Sequence, residues 1–143
     1  MKINHTEEVG SIKIHCVRLK NGEDIKKSII DYSAEKSILA GVVLSSVGCV
    51  ISGRIRLADG KTIKELPEKM EIISINGTLS LDGIHLHISY ADREGLVFGG
   101  HLVDGNIVNT TCELVIGELS QYSFKRDFDE NTGYREIQII ERE

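Results

Sequence analysis

Only one stretch of this 143-residue chain carries the pattern of a long helix, and that limits the fold more than any other feature. Glu23-Asp24 supply acidic residues suited to a helix N-terminus. Ile25, Ile29, Ile30 and Ala34 follow at i, i+4, i+5 and i+9, one apolar stripe. The spacing predicts a helix over about residues 23–37. The rest reads as strands. Ile12 to Leu19 alternates, and Gly41 to Val47 is an apolar run that Gly48 is expected to interrupt. From Cys49 to Leu57, strict alternation would set Val50, Ser52, Arg54 and Arg56 against Cys49, Ile51, Gly53, Ile55 and Leu57. Asp59-Gly60 is a hairpin signal. Met70 to Leu81 is the next strand, with Gly77 a candidate bulge. Ile84 to Tyr90, Leu96 to Phe98, Ile107 to Glu118 and Tyr134 to Ile140 complete about seven strands. The expectation is an α+β fold: a largely antiparallel sheet wrapped around, or covering, one main helix. A doubly wound fold would need several more helices.

At this length the chain has room for one full core, so residues 1–143 are read as a single domain. The 41% hydrophobic and 27% charged residues are ordinary for a globular domain and argue against disorder. The net charge of −5 and the scatter of the basic residues (Lys26–Lys27, Arg54, Arg56, Lys61, Lys64) disfavour DNA binding by this chain alone, because such binding draws on neutralised phosphates. Cys16, Cys49 and Cys112 lie among β-branched residues without a C-x-x-C spacing, and are expected as buried, reduced thiols. Residues 1–10 are polar with no apolar core. No apolar run approaches the roughly 20 residues of a membrane span, so a cytoplasmic protein is expected.

The chemistry concentrates in three histidines. Alternation in Ile84 to Tyr90 puts Ile84, Leu86, Ile88 and Tyr90 on one face, and His85, His87 and Ser89 on the other. Imidazoles at i and i+2 of a strand spring from Cα atoms roughly 6.5–7 Å apart and can reach one ion. A hairpin between His87 and His101 would return His101 beside them. Three neutral imidazoles with an open fourth position form a catalytic-type zinc set, where water would take the fourth place. Gly99-Gly100 suits a close backbone approach, or an unusual φ, just before the third ligand. Histidines on the polar face of a half-buried strand are also commonly only solvated. His5 and His15 are isolated and receive no role. Glu71 and Asp92 are the carboxylates considered as a general base near the histidines, although Asp92 to Gly95 also reads as a solvated turn. Ser45-Ser46 and Thr110-Thr111 lack a partnered base. No Gly-rich phosphate-cradling loop occurs.

Several segments in order resemble the PPC (plants and prokaryotes conserved) domain: Leu19 to Asp24 ahead of the helix, Val43 to Gly48, Met70 to Thr78, Ile84 to Ser89, Gly99-Gly100-His101-Leu102 and Phe124-Lys125-Arg126. The resemblance covers about residues 12–140. It implies a homotrimer and, as in some prokaryotic members, a divalent metal with zinc the expected ion, held by His85, His87 and His101. Family members often carry a DNA-binding label, and plant relatives join the domain to an AT-hook. Here the only proline, Pro67, lies in Glu65-Leu66-Pro67-Glu68, so no such hook is present. The Met70–Ile75 region corresponds to a plant segment linked to partner binding. Lys69 matches its basic residue, but Met70 replaces the aromatic usual there, which weakens any inference to a protein partner. Two uses of the site follow from this reading: a trimeric metal-binding module, or a metal-dependent hydrolase acting through a metal-bound water.

Overall fold

The computed structural model describes residues 11–143; His5 and the polar N-terminal stretch lie outside them. In order, the elements are β1 (Ile12–Lys20), α1 (Ile25–Glu35), β2 (Gly41–Arg56), β3 (Ile63–Leu66), β4 (Met70–Ser80), β5 (Gly83–Ala91), β6 (Val97–Leu102), β7 (Ile107–Leu119), β8 (Tyr122–Asp129) and β9 (Tyr134–Glu141). Seven strands form one antiparallel sheet in the order β1-β7-β2-β4-β5-β6, with β3 paired to β2; β8 and β9 form a separate ribbon. This is the expected α+β architecture, with two more strands, β3 and β8, than periodicity alone revealed.

The sheet curls back on itself. The end of β2 pairs with β6 through Ile55↔Leu102 and Arg56↔His101, closing β2, β4, β5 and β6 into a ring. Strand β2 makes this possible by its 16-residue length: its first part pairs with β4 and β7, its last with β3 and β6. Gly48 does not interrupt it, contrary to expectation. The register against β7 shifts three times instead, between Val43 and Ser45, Gly48 and Cys49, and Val50 and Ser52. The last shift overturns the strict alternation. Val50 is buried, and so are Gly53 and Ile55, an odd number of positions away. The extra residue flips the pleat, so Arg56 points away from the core while Ile55 points into it.

Helix α1 begins later and ends earlier than its pattern predicts. Asp24 is its N-cap, with Oδ1 accepting from the Lys27 N–H at 3.1 Å, one of the donors a helix start leaves unpaired. The buried face is Ile25, Ile29 and Ser33; Ile30 and Ala34, expected on the stripe, face solvent. Ser33 is tolerated inside because its hydroxyl donates to the Ile29 carbonyl at 2.7 Å. The core beneath the helix joins Ile25 and Ile29 to Ile38, Leu79, Val108 and Ile116. His15, which the sequence left without a role, is buried and ties the helix to the sheet edge. Its Nδ1 lies 3.1 Å from the Tyr32 hydroxyl, and its Nε2 is 2.8 Å from Glu118 Oε2.

Two further expectations are corrected. Gly77 is not a bulge: pairing of β4 with β5 runs in register through it, and the shift lies between Ile72 and Ser74. Gly77 is needed because a Cβ there would sit 1.9 Å from the His85 carbonyl oxygen, at a φ of +140°. The cysteines are free but not uniformly buried. Cys112 is in the core, where burial pushes its thiol up to about 12; Cys49 is half-buried and Cys16 is exposed. Among the described residues no helix is long and apolar enough to cross a membrane.

Candidate metal centre

The site is assembled by hydrogen-bonded neighbours across the closed ring. His87 on β5 is the paired residue of His101 on β6, and His101 is the paired residue of Arg56 on β2. With Asn76 on β4 opposite His87, these four residues form one row across four strands. His85 is two positions along β5, opposite Thr78. Since directly paired residues share a face, the three imidazoles project from the same side of the ring. Their ring centroids are 5.2, 5.2 and 5.7 Å apart, and one nitrogen from each lies within 4.8 Å of the others.

The glycines ahead of His101 set this spacing. A Cβ at Gly99 would stand 2.3 Å from the Ile88 carbonyl oxygen, and one at Gly100 would stand 2.6 Å from that of Arg56. Close backbone approach is thus the reason for the pair; neither glycine adopts a positive φ.

Two of the rings, His101 and His85, are pushed toward their neutral form. His101 is half-buried, and its pKa is pushed down to about 4, first by burial, then by the Arg56 guanidinium and the two neighbouring rings. His85 is lowered in the same sense by burial, His87 and Arg126. A neutral imidazole is the form that ligates a metal. Nitrogens arranged tetrahedrally about 2.0–2.1 Å from one zinc stand about 3.4 Å apart. Nitrogens that lie within 4.8 Å of one another reach that spacing by side-chain rotations that move each by about an ångström. Nδ1 of His101 is buried without a hydrogen-bond partner among the described residues, which fits a ring whose coordination is incomplete in the protein alone.

The histidines open into a cavity of about 630 Å³. It is lined by the histidines and the glycine pair, by residues at the end of β2 and just after it that include Arg56 and Leu57, and by Arg126, Tyr134, Arg135 and Glu136 of the β8–β9 ribbon. The ribbon is held down at the β4–β5 turn, where the Asp82 carboxylate accepts the Arg126 backbone N–H at 2.6 Å and pairs with Arg135 at 3.3 Å. Those hydrogen bonds hold the Asp82 carboxyl below the usual carboxylate range, the Arg126 N–H first among them.

Residues 6–120 match the Plants and Prokaryotes Conserved domain. The chain belongs to that family. Its PPC fold is shared by a hypothetical protein from Salmonella cholerae-suis, 31% identical with a TM-score of 0.90, over 96% of this chain and 99% of that one. An Archaeoglobus fulgidus protein described as metal-containing is 32% identical with a TM-score of 0.77, again over 96% and 99%. By sequence the chain is also similar to the bifunctional protein GlmU of a Synechococcus strain, 38% identical over 130 residues, which are 91% of this chain. The chain spans about a fifth (21%) of the length of that relative.

Within this PPC domain, the structure brings the three sequence-predicted histidines together and leaves both carboxylates elsewhere. Glu71 and Asp92 border a separate hollow with Lys69 and Arg93. Glu71 pairs with Ala91, four positions beyond His87 on β5, or roughly 13 Å along the strand. Asp92 serves its own turn, with Oδ1 accepting the backbone N–H groups of Glu94 and Leu96. Sequence reasoning missed Arg56, Arg126 and Glu136. Arg56 was hidden by the pleat flip in β2. The other two sit on the ribbon, beyond the span that matches the family, and only Phe124-Lys125-Arg126 within the resembling segments pointed to it.

Proposed function

We propose that this PPC domain is a metal-binding module in which His85, His87 and His101 hold one divalent cation, zinc being the ion best suited to three imidazoles. The observation that carries the reading is the convergence of three ring nitrogens within 4.8 Å on one face of a closed ring. The description of the Archaeoglobus relative as metal-containing supports it. A bound zinc would supply a Lewis acid within the cavity.

Binding is favoured over hydrolysis because neither Glu71 nor Asp92 reaches the cavity. Glu136 is the one carboxylate lining it, and nothing in its placement assigns it a proton to move. The net charge of −5 continues to disfavour DNA association by this chain alone. Free thiols, one of them exposed, suit a reducing compartment, and the cytoplasm is the proposed location.

The same proposal includes a homotrimer. A Cβ at Gly117 would meet Leu44 and Ile12 side chains at 3.0 and 3.1 Å, and Gly117 pairs with Ile14, so Ile12, Ile14 and Leu44 share the outer sheet face. Each is about half exposed (49%, 53% and 50%), an apolar patch of the kind that subunit contacts cover. Other copies of this chain are the proposed occupants.

Elemental analysis of purified wild type beside His85→Ala tests the metal, with solution mass measured in parallel. The expected result is about one zinc per wild-type chain, loss of it in the variant, and a mass three times the 15.9 kDa chain. Absence of metal from both proteins would return the histidines to solvated surface groups; a monomer mass would remove the trimer.

A further inference from the structure

We infer that the cavity takes a small organic oxyanion, whose phosphate or carboxylate group is held by the guanidinium groups of Arg56 and Arg126 beside the histidine-bound cation. This rests on the metal reading for the cation and on independent observations for the anion.

Both arginines are short of partners where water cannot reach. Nε of Arg56 and Nε of Arg126 are buried and make no hydrogen bond among the described residues, and neither side chain enters an ion pair there. Buried guanidinium donors are normally satisfied, so orphans on two arginines that line one cavity point to a missing acceptor. Arg56 is positioned by its pairing with His101, and Arg126 by its Nη2, which donates to Thr78 Oγ1 at 3.0 Å beside His85. One guanidinium therefore stands beside His101 and the other beside His85.

Charge argues the same way. Arg135 is already paired with Asp82, and Glu136 is the single carboxylate among the lining residues. Arg56 and Arg126 thus leave the cavity positive on a chain whose net charge is −5. A dication on the histidines adds to that excess. Such a focused positive site attracts an anion. The planar fork of arginine matches carboxylate and phosphate oxygens with two parallel hydrogen bonds. Leu57, Ala58 and Ile84 give the cavity apolar wall, and about 630 Å³ is the size of a metabolite site rather than of a bare ion.

Isothermal titration calorimetry of the zinc-loaded full chain with inorganic phosphate and with oxalate tests the inference, with zinc content measured on every sample. At least one probe should bind wild type at millimolar concentration or below, and the tighter one identifies the head group as phosphate or carboxylate. Arg56→Gln and Arg126→Gln should weaken that binding about ten-fold or more with zinc content unchanged. Arg56→Lys, which keeps the charge but not the fork, should fall between, and so guards against a folding defect in Arg56→Gln. Lys27→Gln, a loss of one positive charge on the helix, should bind as wild type does. Failure of both probes to bind up to about 10 mM overturns the inference, as does unchanged binding in both glutamine variants. Zinc bound with no anion leaves the metal reading standing alone. Arginine-dependent anion binding by a chain that holds no zinc keeps the anion site and removes the metal.

Discussion

His87 and His101 are directly paired residues on neighbouring antiparallel strands, separated by 14 positions in sequence and by a ring-centroid distance of 5.7 Å in space. The pairing makes each histidine's geometry depend on strand register. A slip of one residue would turn His101 to the opposite face.

The first prediction separates ligation from stability. His85 and His87 are exposed, so alanine at either should change the stability of metal-free protein by no more than about 0.5 kcal/mol. The same substitutions should abolish stoichiometric zinc. Urea unfolding of zinc-free protein and elemental analysis of loaded protein read the two effects separately.

A second concerns pH. His101 titrates near 4 in the folded chain and near 6.5 when unfolded, so below about 6.5 the unfolded state binds the extra proton. Zinc-free protein should therefore lose stability as pH falls from about 6.5 to about 4, and His85 should act in the same direction. Denaturation midpoints of His101→Ala should show a flatter profile over that window than wild type.

Gly99→Ala should fail for a backbone reason. Its methyl would lie 2.3 Å from the Ile88 carbonyl, with no flexible side chain to give way. A cost of about 1–3 kcal/mol is expected, together with weaker zinc binding, because β6 must move off β5. Thermal unfolding and zinc titration of the variant measure both.

Asn106 offers a test of the core. It is fully buried; its Oδ1 accepts from the Arg54 N–H at 3.0 Å and from the Tyr90 hydroxyl, and its Nδ2 donates to the carbonyls of Arg54 and Val103 at 2.8 and 2.7 Å. Asn106→Ala orphans these partners together, and a loss of about 3 kcal/mol or more is expected in chemical denaturation. Tyr90→Phe removes one partner only and should cost less.

The ribbon should be separable from the sheet. Asp82→Ala removes the acceptor of the Arg126 N–H and the partner of Arg135. Hydrogen exchange over residues 122–141 should rise while β2, β4 and β7 keep their protection. Equal exchange in variant and wild type would show that other contacts hold the ribbon.

The parts of this molecule that a reader of the sequence can see are the local ones. The H-x-H pair follows from a period of two within β5, and His101 from a short return through β6. Asp24 announced the helix start, although the stripe misplaced Ile30 and Ala34, since Ser33 can be buried once its hydroxyl finds the Ile29 carbonyl. What could not be seen depends on register between distant strands. The extra residue after Val50 reverses inside and outside for the rest of β2, and nothing near Ser52 signals it. Arg56 reaches His101 only through that reversal and a pairing across 45 positions. The ribbon residues Arg126 and Glu136 reach the cavity by packing, which leaves no period to read.

Only two residue pairs join β6 to the end of β2, and one of them contains His101. The three imidazoles, by contrast, are brought together within the β5–β6 hairpin alone, which pairs His87 with His101. Ring closure adds Arg56 to a trio that the hairpin already holds. An ion gripping all three would clamp that hairpin, and the guanidinium would join only where the loop of strands is sewn shut.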